Sequence, residues 1–290
     1  MAEAFAPAKV NLFLHVGAPA ADGYHPICSL MVFADVGDRL DARPAEAFSL
    51  RVRGPFGAGL GGSEDNLVMR AARALAAEAT RPALAFTLDK QLPVASGLGG
   101  GSSDAGAALR LLRDALAPDL PDARLEAVAA ALGADGAACL WGRPVLAEGR
   151  GERLSAAPAL PLMDAVLVNA GAAVSTPEVY RRLDASAAFG DVAPPPMPDA
   201  FEDVHEVAGW LATQRNDLEA AAVAVSPEVG AVLATLRDEP EALIARVSGS
   251  GGTCFALCDD DIAAESLAER LESLAPGWWV RRCRLGGPWD

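Results

Sequence analysis

Four glycines and two serines lie together in Gly97-Leu98-Gly99-Gly100-Gly101-Ser102-Ser103, between a strand-like run and a strongly helical one. Glycine lets the backbone approach a ligand closely and leaves N–H groups free to point at it. A helix N-terminus directly behind adds about half a positive charge. Together these make a cradle for anions, most naturally phosphates. No Gly-Lys-Ser/Thr closes the loop, which excludes a Walker loop, and Gly97-x-Gly99-x-x-Ser102 lacks the third glycine of a dinucleotide fingerprint.

Other residues could carry chemistry. The chain holds two lysines, Lys9 and Lys90, against 22 arginines, so arginine fills the ordinary surface roles and each lysine invites a reason. Lys9 sits in a run that alternates, with Ala8, Val10, Leu12, Leu14 and Val16 on one face and Lys9, Asn11, Phe13 and His15 on the other. Strand spacing then puts Lys9 and Asn11 side by side, about 7 Å apart. Gly133-Ala134-Asp135-Gly136 sets a carboxylate just after a helix, which by itself reads as a turn or cap aspartate. Tyr24 and His25 follow the Asp22-Gly23 turn. Such a pair can stack on and hydrogen-bond a flat polar ring, and equally can be two half-buried loop residues. Val247-Ser248-Gly249-Ser250-Gly251-Gly252, a second glycine cluster, reads as a hairpin turn between two strands.

The elements that must position these groups follow from periodicity. Strands are expected at 8–16, 28–33, 48–53, 83–88, 145–147 and 165–169, and helices at 66–79, 105–116 and 124–132, the last stopped by Gly133. Ser175-Thr176-Pro177-Glu178 is a helix start, with a hydroxyl cap, proline in the first turn and then an acid. Residues 57–62 and the Pro- and Ala-rich stretch 185–199 read as loops, followed by helices at 200–213, 217–225 and 227–237. The end of the chain reads strand 244–248, glycine turn, strand 253–258, helix 262–274, strand 278–284. That order suits an α+β sandwich. Pro158 and Pro161 suggest a boundary, giving domains 1–157 and 158–290.

Composition narrows the class. Of 290 residues 51% are hydrophobic and 22% charged, an ordinary globular balance. The formal charge of −15, with no basic run, argues against a nucleic-acid partner and leaves an anionic substrate in need of a locally favourable pocket. Uncharged stretches such as 165–177 fall well short of the ~20 apolar residues of a membrane span. Five cysteines, odd in number, and an N-terminus with no basic-then-apolar leader make a reducing cytoplasm the expectation. No protein partner is inferred.

In order along nearly the whole chain, these motifs resemble the GHMP kinase superfamily. The resemblance rests on Ala6-Pro7-Ala8-Lys9-Val10-Asn11-Leu12, Asp22-Gly23-Tyr24-His25, Asp65-Asn66-Leu67-Val68, Leu92-Pro93 through Ala105, and Gly133-Ala134-Asp135. It continues through Glu148-Gly149, Gly151-Glu152, Val174-Ser175-Thr176-Pro177, Asn216-Asp217-Leu218-Glu219 and Ser248-Gly249-Ser250-Gly251. The phosphate loop points to the superfamily; Lys9 with Asn11, and Asp22 to His25, point to a member whose substrate carries a cytidine diphosphate. Gly136-Ala137 follows Asp135 where that branch usually has Val-Pro, and Ala95-Ser96 stands where glycine-richer variants are common.

The resemblance implies two lobes, the first like ribosomal protein S5 domain 2 and the second ferredoxin-like, with a small-molecule ligand between them. It implies transfer of the ATP γ-phosphoryl to the 2-hydroxyl of CDP-methylerythritol, with Mg²⁺ bridging phosphate oxygens. Pro93, Val94, Ala95, Ser96, Gly97, Leu98, Gly99, Gly100, Gly101, Ser102 and Ser103 would hold the triphosphate, with Ser102 or Ser103 offering a hydroxyl. Asn66 and Lys90 would stand on the nucleotide side. Asp135 would be the base, with Lys9 keeping it charged and offsetting charge at the phosphoryl group. Asn11 would bind substrate hydroxyls, Tyr24 and His25 the cytosine, and Tyr180 its other face.

Overall fold

The computed structural model describes residues 2–58, 60, 65–76, 83–186 and 189–289. Residues 77–79 of the expected first helix, residues 59, 61 and 62 of the 57–62 loop, and residues 187–188 lie outside the described residues. The first half runs β1 (Ala2–Val16), β2 (Ile27–Pro44), β3 (Ser49–Arg53), α1 (Leu67–Ala76), β4 (Leu84–Asp89), α2 (Gly100–Leu116), α3 (Asp122–Leu132), α4 (Gly136–Trp141), β5 (Val145–Gly149) and β6 (Arg153–Ala156). The second runs β7 (Met163–Asn169), α5 (Thr176–Ser186), α6 (Val204–Leu211), α7 (Glu219–Val225), α8 (Pro227–Asp238), β8 (Ile244–Val247), β9 (Thr253–Leu257), α9 (Asp261–Leu274) and β10 (Trp279–Gly286). The fold is α+β and two-lobed.

β1 and β2 form a long antiparallel pair whose register shifts between Pro7 and Lys9 and again between Asn11 and Phe13. The second shift corrects the strict alternation expected of this strand. An irregularity there gives the strand an extra residue, so Leu12 and Phe13 both enter the same core, while Leu14 and Val16 join a different one. Lys9 and Asn11 precede it and keep a common face. β3 and β4 pair in parallel beside β2, and α1, α2 and α3 pack over this end through Ala71, Leu75, Ala108, Leu112 and Leu125.

In the second half, β8, β9, β7 and β10 are antiparallel neighbours, a β-α-β-β-α-β arrangement closed by the last strand. β10 then reaches across to β2 through Leu285–Ala34 and Gly286–Phe33, joining the two halves in one sheet. Local chemistry explains several starts: Asp203 caps α6 by accepting Glu206 N–H at 2.9 Å, and Asp260 caps α9 by accepting Ala263 N–H at 2.8 Å. The short helix α4 and strand β6 were not expected from periodicity.

Candidate active site

The glycine loop is held from two sides. The Lys9 N–H of β1 donates to Leu98 O at 2.8 Å; from the second half, Thr253 N–H donates to Ser96 O at 2.9 Å and Val174 N–H to Ala95 O at 3.3 Å. Ala95 takes φ 53°, the left-handed region that glycine would adopt more easily. Gly97 is tighter still: at φ +78°, a β-carbon there would stand 2.5 Å from Ser248 O and 2.6 Å from Gly251 O. The second glycine cluster is the β8–β9 turn, as expected, and its function is now visible: it packs directly on the phosphate loop. α2 begins at Gly100, five residues before the start read from periodicity, so the last two glycines form its first turn. The unpaired N–H groups of that turn are therefore those of Gly100, Gly101 and Ser102. Ser103 is buried beside the Cys139 thiol, whereas Ser102 is partly exposed at the mouth of the turn.

Lys9, Asn11 and Asp135 meet beneath the loop. Lys9 Nζ donates to Asn11 Oδ1 at 2.6 Å, lies 3.4 Å from Asp135 Oδ2, and approaches Gly97 O at 3.5 Å. Asn11 is aimed in turn: its Nδ2 donates to Ser29 Oγ at 2.7 Å, and Ser29 Oγ donates to Phe13 O at 2.6 Å. Asp135 precedes α4, and its carboxylate is about a third exposed, whereas Lys9 is nearly fully buried. Gly136 now has a reason. A β-carbon at that position would stand 1.9 Å from Ala129 O, so the close approach of α3 to the Asp135 turn requires glycine.

Lys90 reaches the loop from below rather than from the ligand side. Its ammonium is buried, 2.5 Å from Asp38 Oδ2 and 2.7 Å from Asp104 Oδ2. Asp38 Oδ1 also accepts Gln91 N–H at 2.6 Å and Leu92 N–H at 2.9 Å, tying the strand before the loop to the helix after it. Burial pushes the Asp104 carboxyl up to about 7, against the pull of Lys90, with Asp38 adding to the rise. Burial works against charge on Lys90 as well, but its two carboxylate neighbours outweigh it and raise its pKa. The amine thus serves the loop's foundation and is not free for a phosphate. Lys90→Met strands two buried carboxylates and is expected to cost about 3–5 kcal/mol of stability. Chemical denaturation at neutral pH tests this; an unchanged midpoint would return Lys90 to the ligand side.

The turn after β1 builds an aromatic pocket. His25 Nδ1 lies 2.8 Å from Gly17 O, so that nitrogen carries the proton, and Nε2 lies 3.1 Å from Asp184 Oδ1. The Tyr180 ring packs on His25 with centroids 5.1 Å apart, and Phe189 follows at 5.6 Å. Burial, then the charge of Asp135, lifts the Tyr180 phenol to about 12. Tyr24 is different: its ring is 58% exposed and lies under the Arg150 guanidinium.

Asn66 is a helix cap in this structure, accepting Val68 N–H at 2.9 Å through Oδ1 just before α1. Sequence reading passed over several residues that shape the site. Asn216 Nδ2 donates to Val247 O at 2.8 Å and Gly249 O at 2.9 Å. Ser248 Oγ bridges Asn11 N–H and Gly97 O, at 3.3 Å each, and Ser250 Oγ pairs with Thr176 Oγ1 at 2.7 Å. These sit in blocks already quoted for the resemblance. Their signal was motif membership, and their contacts lie up to 237 residues away in sequence.

Family models match both halves: the GHMP kinases N terminal domain over residues 66–143 and the GHMP kinases C terminal model over 199–277. A protein of Caulobacter sp. (strain K31) named 4-diphosphocytidyl-2-C-methyl-D-erythritol kinase is 63% identical over 289 residues, covering 99% of each chain. A crystal structure of a 4-(cytidine 5'-diphospho)-2C-methyl-D-erythritol kinase superposes with a TM-score of 0.79 at 34% identity, covering 99% of this chain and 100% of the other. A homoserine kinase structure from Cytophaga hutchinsonii shares the fold, with a TM-score of 0.69 at 19% identity over 98% of this chain and 94% of that one. From the glycine loop, the Lys9–Asp135 pair beneath it and this full-length similarity, the chain belongs to the 4-diphosphocytidyl-2-C-methyl-D-erythritol kinases, within the GHMP kinases.

Proposed function

We propose that the chain transfers the γ-phosphoryl of ATP to the 2-hydroxyl of CDP-methylerythritol, in the non-mevalonate isoprenoid route. The observation that carries this reading is one continuous set of contacts. It runs from the α2 N-terminus through Gly97 and Lys9 to Asp135, and the His25–Tyr180 ring pair supplies an aromatic pocket suited to a base. Phosphoryl transfer asks for alignment and charge stabilisation more than for covalent chemistry. The N–H groups of Gly100, Gly101 and Ser102 hold phosphate oxygens. Lys9, fixed by Asn11, offsets charge where the loop meets the acceptor. An alcohol is far more basic than a carboxylate, whose ordinary pKa is about 4. Asp135 therefore orients the hydroxyl first and takes its proton as the new P–O bond forms. Asn11 has one side-chain oxygen engaged with Lys9 and serves the acceptor by keeping that ammonium in place, as well as by lying on the same strand face.

Mg²⁺ fits this donor set only as a phosphate-borne ion. Among the described residues no group of three or more His, Cys, Asp or Glu side chains could hold a metal, while the Ser102 hydroxyl stands at the loop where phosphates would lie. Ser102 would hold the ion together with the ATP phosphates, and the ion would neutralise charge on the transferring group. The same reading divides the chain at 157/158, supported by the Pro158–Pro161 crossing from β6 to β7, and places the enzyme in the cytoplasm with a small-molecule partner. Among the described residues no helix is long and apolar enough to cross a membrane.

Purified protein with ATP and Mg²⁺ should form ADP with CDP-methylerythritol and not with methylerythritol phosphate, homoserine or mevalonate. Turnover of one of the others would keep the phosphate loop and reassign the acceptor pocket. His25→Ala removes a ring face and an edge hydrogen bond, together worth about 10- to 100-fold in affinity. The KM for the CDP substrate should rise by that factor while the KM for ATP holds. A rise in the ATP KM instead would move the cytosine elsewhere.

A further inference from the structure

Arg150 lies in the turn between β5 and β6, a position that neither the glycine loop nor the Lys9–Asp135 pair accounts for. Its guanidinium stacks over the Tyr24 ring with Cζ 4.1 Å from the centroid. One of its nitrogens is paired with Asp22, whose other oxygen accepts Tyr24 N–H at 3.0 Å. The turn itself is braced: Arg150 N–H donates to Glu152 Oε2 at 2.6 Å, and Gly151 N–H to Glu148 O at 3.0 Å. β5 pairs with β2 from Ile27–Gly149 onward, which brings the Arg150 turn to the same end of the sheet as Tyr24 and His25. Its other flank touches the catalytic turn, because a β-carbon on Gly151 would lie 3.0 Å from Ala134 O, next to Asp135. The Arg150 turn thus meets the Asp22–Tyr24 turn on one side and the turn that carries the proposed base on the other.

A substrate with cytosine at one end and a reacting hydroxyl at the other carries its two phosphates between those points. In a chain of net charge −15 that anion needs a cation placed there, and Lys9 is already engaged with Asn11 and Asp135. Arg150 is half exposed, and among the described residues its guanidinium hydrogen-bonds only Asp22, so several of its donors remain for a ligand. Guanidinium planes bind phosphate oxygens in pairs, and stacking on an aromatic ring fixes the plane without using its N–H groups.

We propose that Arg150 recognises the diphosphate of the acceptor substrate, with Tyr24 holding the guanidinium plane and Asp22 occupying its donors until the diphosphate arrives. This rests on the functional reading above. It makes Arg150 a specificity residue for the diphosphate and separates it from cytosine recognition by His25 and Tyr180.

The test compares cytidine, CMP and CDP binding by calorimetry in wild-type, Arg150→Ala and Arg150→Lys proteins, alongside steady-state kinetics with CDP-methylerythritol and ATP. Wild type should bind CDP more tightly than cytidine, and Arg150→Ala should cut CDP affinity by about 10- to 100-fold, the worth of a charge-assisted pair of hydrogen bonds. Cytidine affinity should stay within about twofold. The KM for CDP-methylerythritol should rise with the loss of CDP affinity and the KM for ATP should hold. Arg150→Lys, which keeps the charge but not the paired geometry, should fall between. An unchanged preference for CDP over cytidine in Arg150→Ala would overturn the proposal. So would an equal loss for cytidine and CDP, which would reduce Arg150 to a prop for Tyr24. A wild-type protein that turns over CDP-methylerythritol but shows either result sinks this inference alone; one with no such turnover sinks the functional reading with it.

Discussion

Asp135→Asn should lower kcat by about 10²- to 10⁴-fold, the range for loss of a positioned general base. The amide keeps the size of the carboxylate and can still accept a hydrogen bond from Lys9, so the turn before α4 should stay in place. What it loses is the ability to take a proton as the new bond to phosphorus forms. Lys9 ties the Asp135 carboxylate to Gly97 O of the glycine loop and is unchanged in this variant, so the KM for ATP should remain within about threefold, as expected of a group acting in the transition state alone. Single-turnover measurement of phosphoryl transfer makes the comparison, with a circular dichroism spectrum to confirm folding. Turnover within tenfold of wild type would remove Asp135 as base and leave alignment by Lys9 and Asn11 as the main contribution.

Gly97→Ala should reduce kcat/KM by about 100-fold, because a displacement of roughly 1 Å at a positioning loop costs that much. The new β-carbon would meet two backbone carbonyls of the β8–β9 turn at 2.5 Å and 2.6 Å, on a residue already at φ +78°. Backbone cannot swing aside as a side-chain tip can, so the loop and the turn must separate. Gly97 O also receives Ser248 Oγ and the Lys9 ammonium, so the shift is passed to the charge beside Asp135. The KM for ATP should rise along with the loss in kcat, and the melting temperature should fall as contact between the halves loosens. Gly133→Ala is the control, since nothing lies within 4 Å of a β-carbon there. Equal behaviour of the two variants would show that the loop tolerates movement and that the packing of the β8–β9 turn on it has no functional weight.

The sequence by itself determined the parts whose physics is local. Glycines ahead of a helix, the alternation that sets Lys9 beside Asn11, the helix start at Ser175–Glu178, and the β-turn-β-α-β order of the last fifty residues each follow from short-range sterics and periodicity. The resemblance carried Asp135, Tyr180 and the cytidine assignment, which spacing alone left open. Tertiary structure decided what depends on partners remote in sequence. The register shift after Asn11 turned Phe13 inward, because two cores meet across β1 there. Lys90 became the buried counter-ion of Asp38 and Asp104, 52 and 14 residues away, and so a support for the loop. Gly136 proved necessary only once α3 was seen to press against it, and the second glycine cluster became part of the site only once Gly97 was seen against Ser248 and Gly251. Arg150 gained a role only when its turn folded onto Tyr24, 126 positions earlier in numbering but adjacent in space. Close approach of backbones, sharing of one buried charge between two partners, and stacking across a cleft are energies of specific long-range pairs, which no local window of sequence contains.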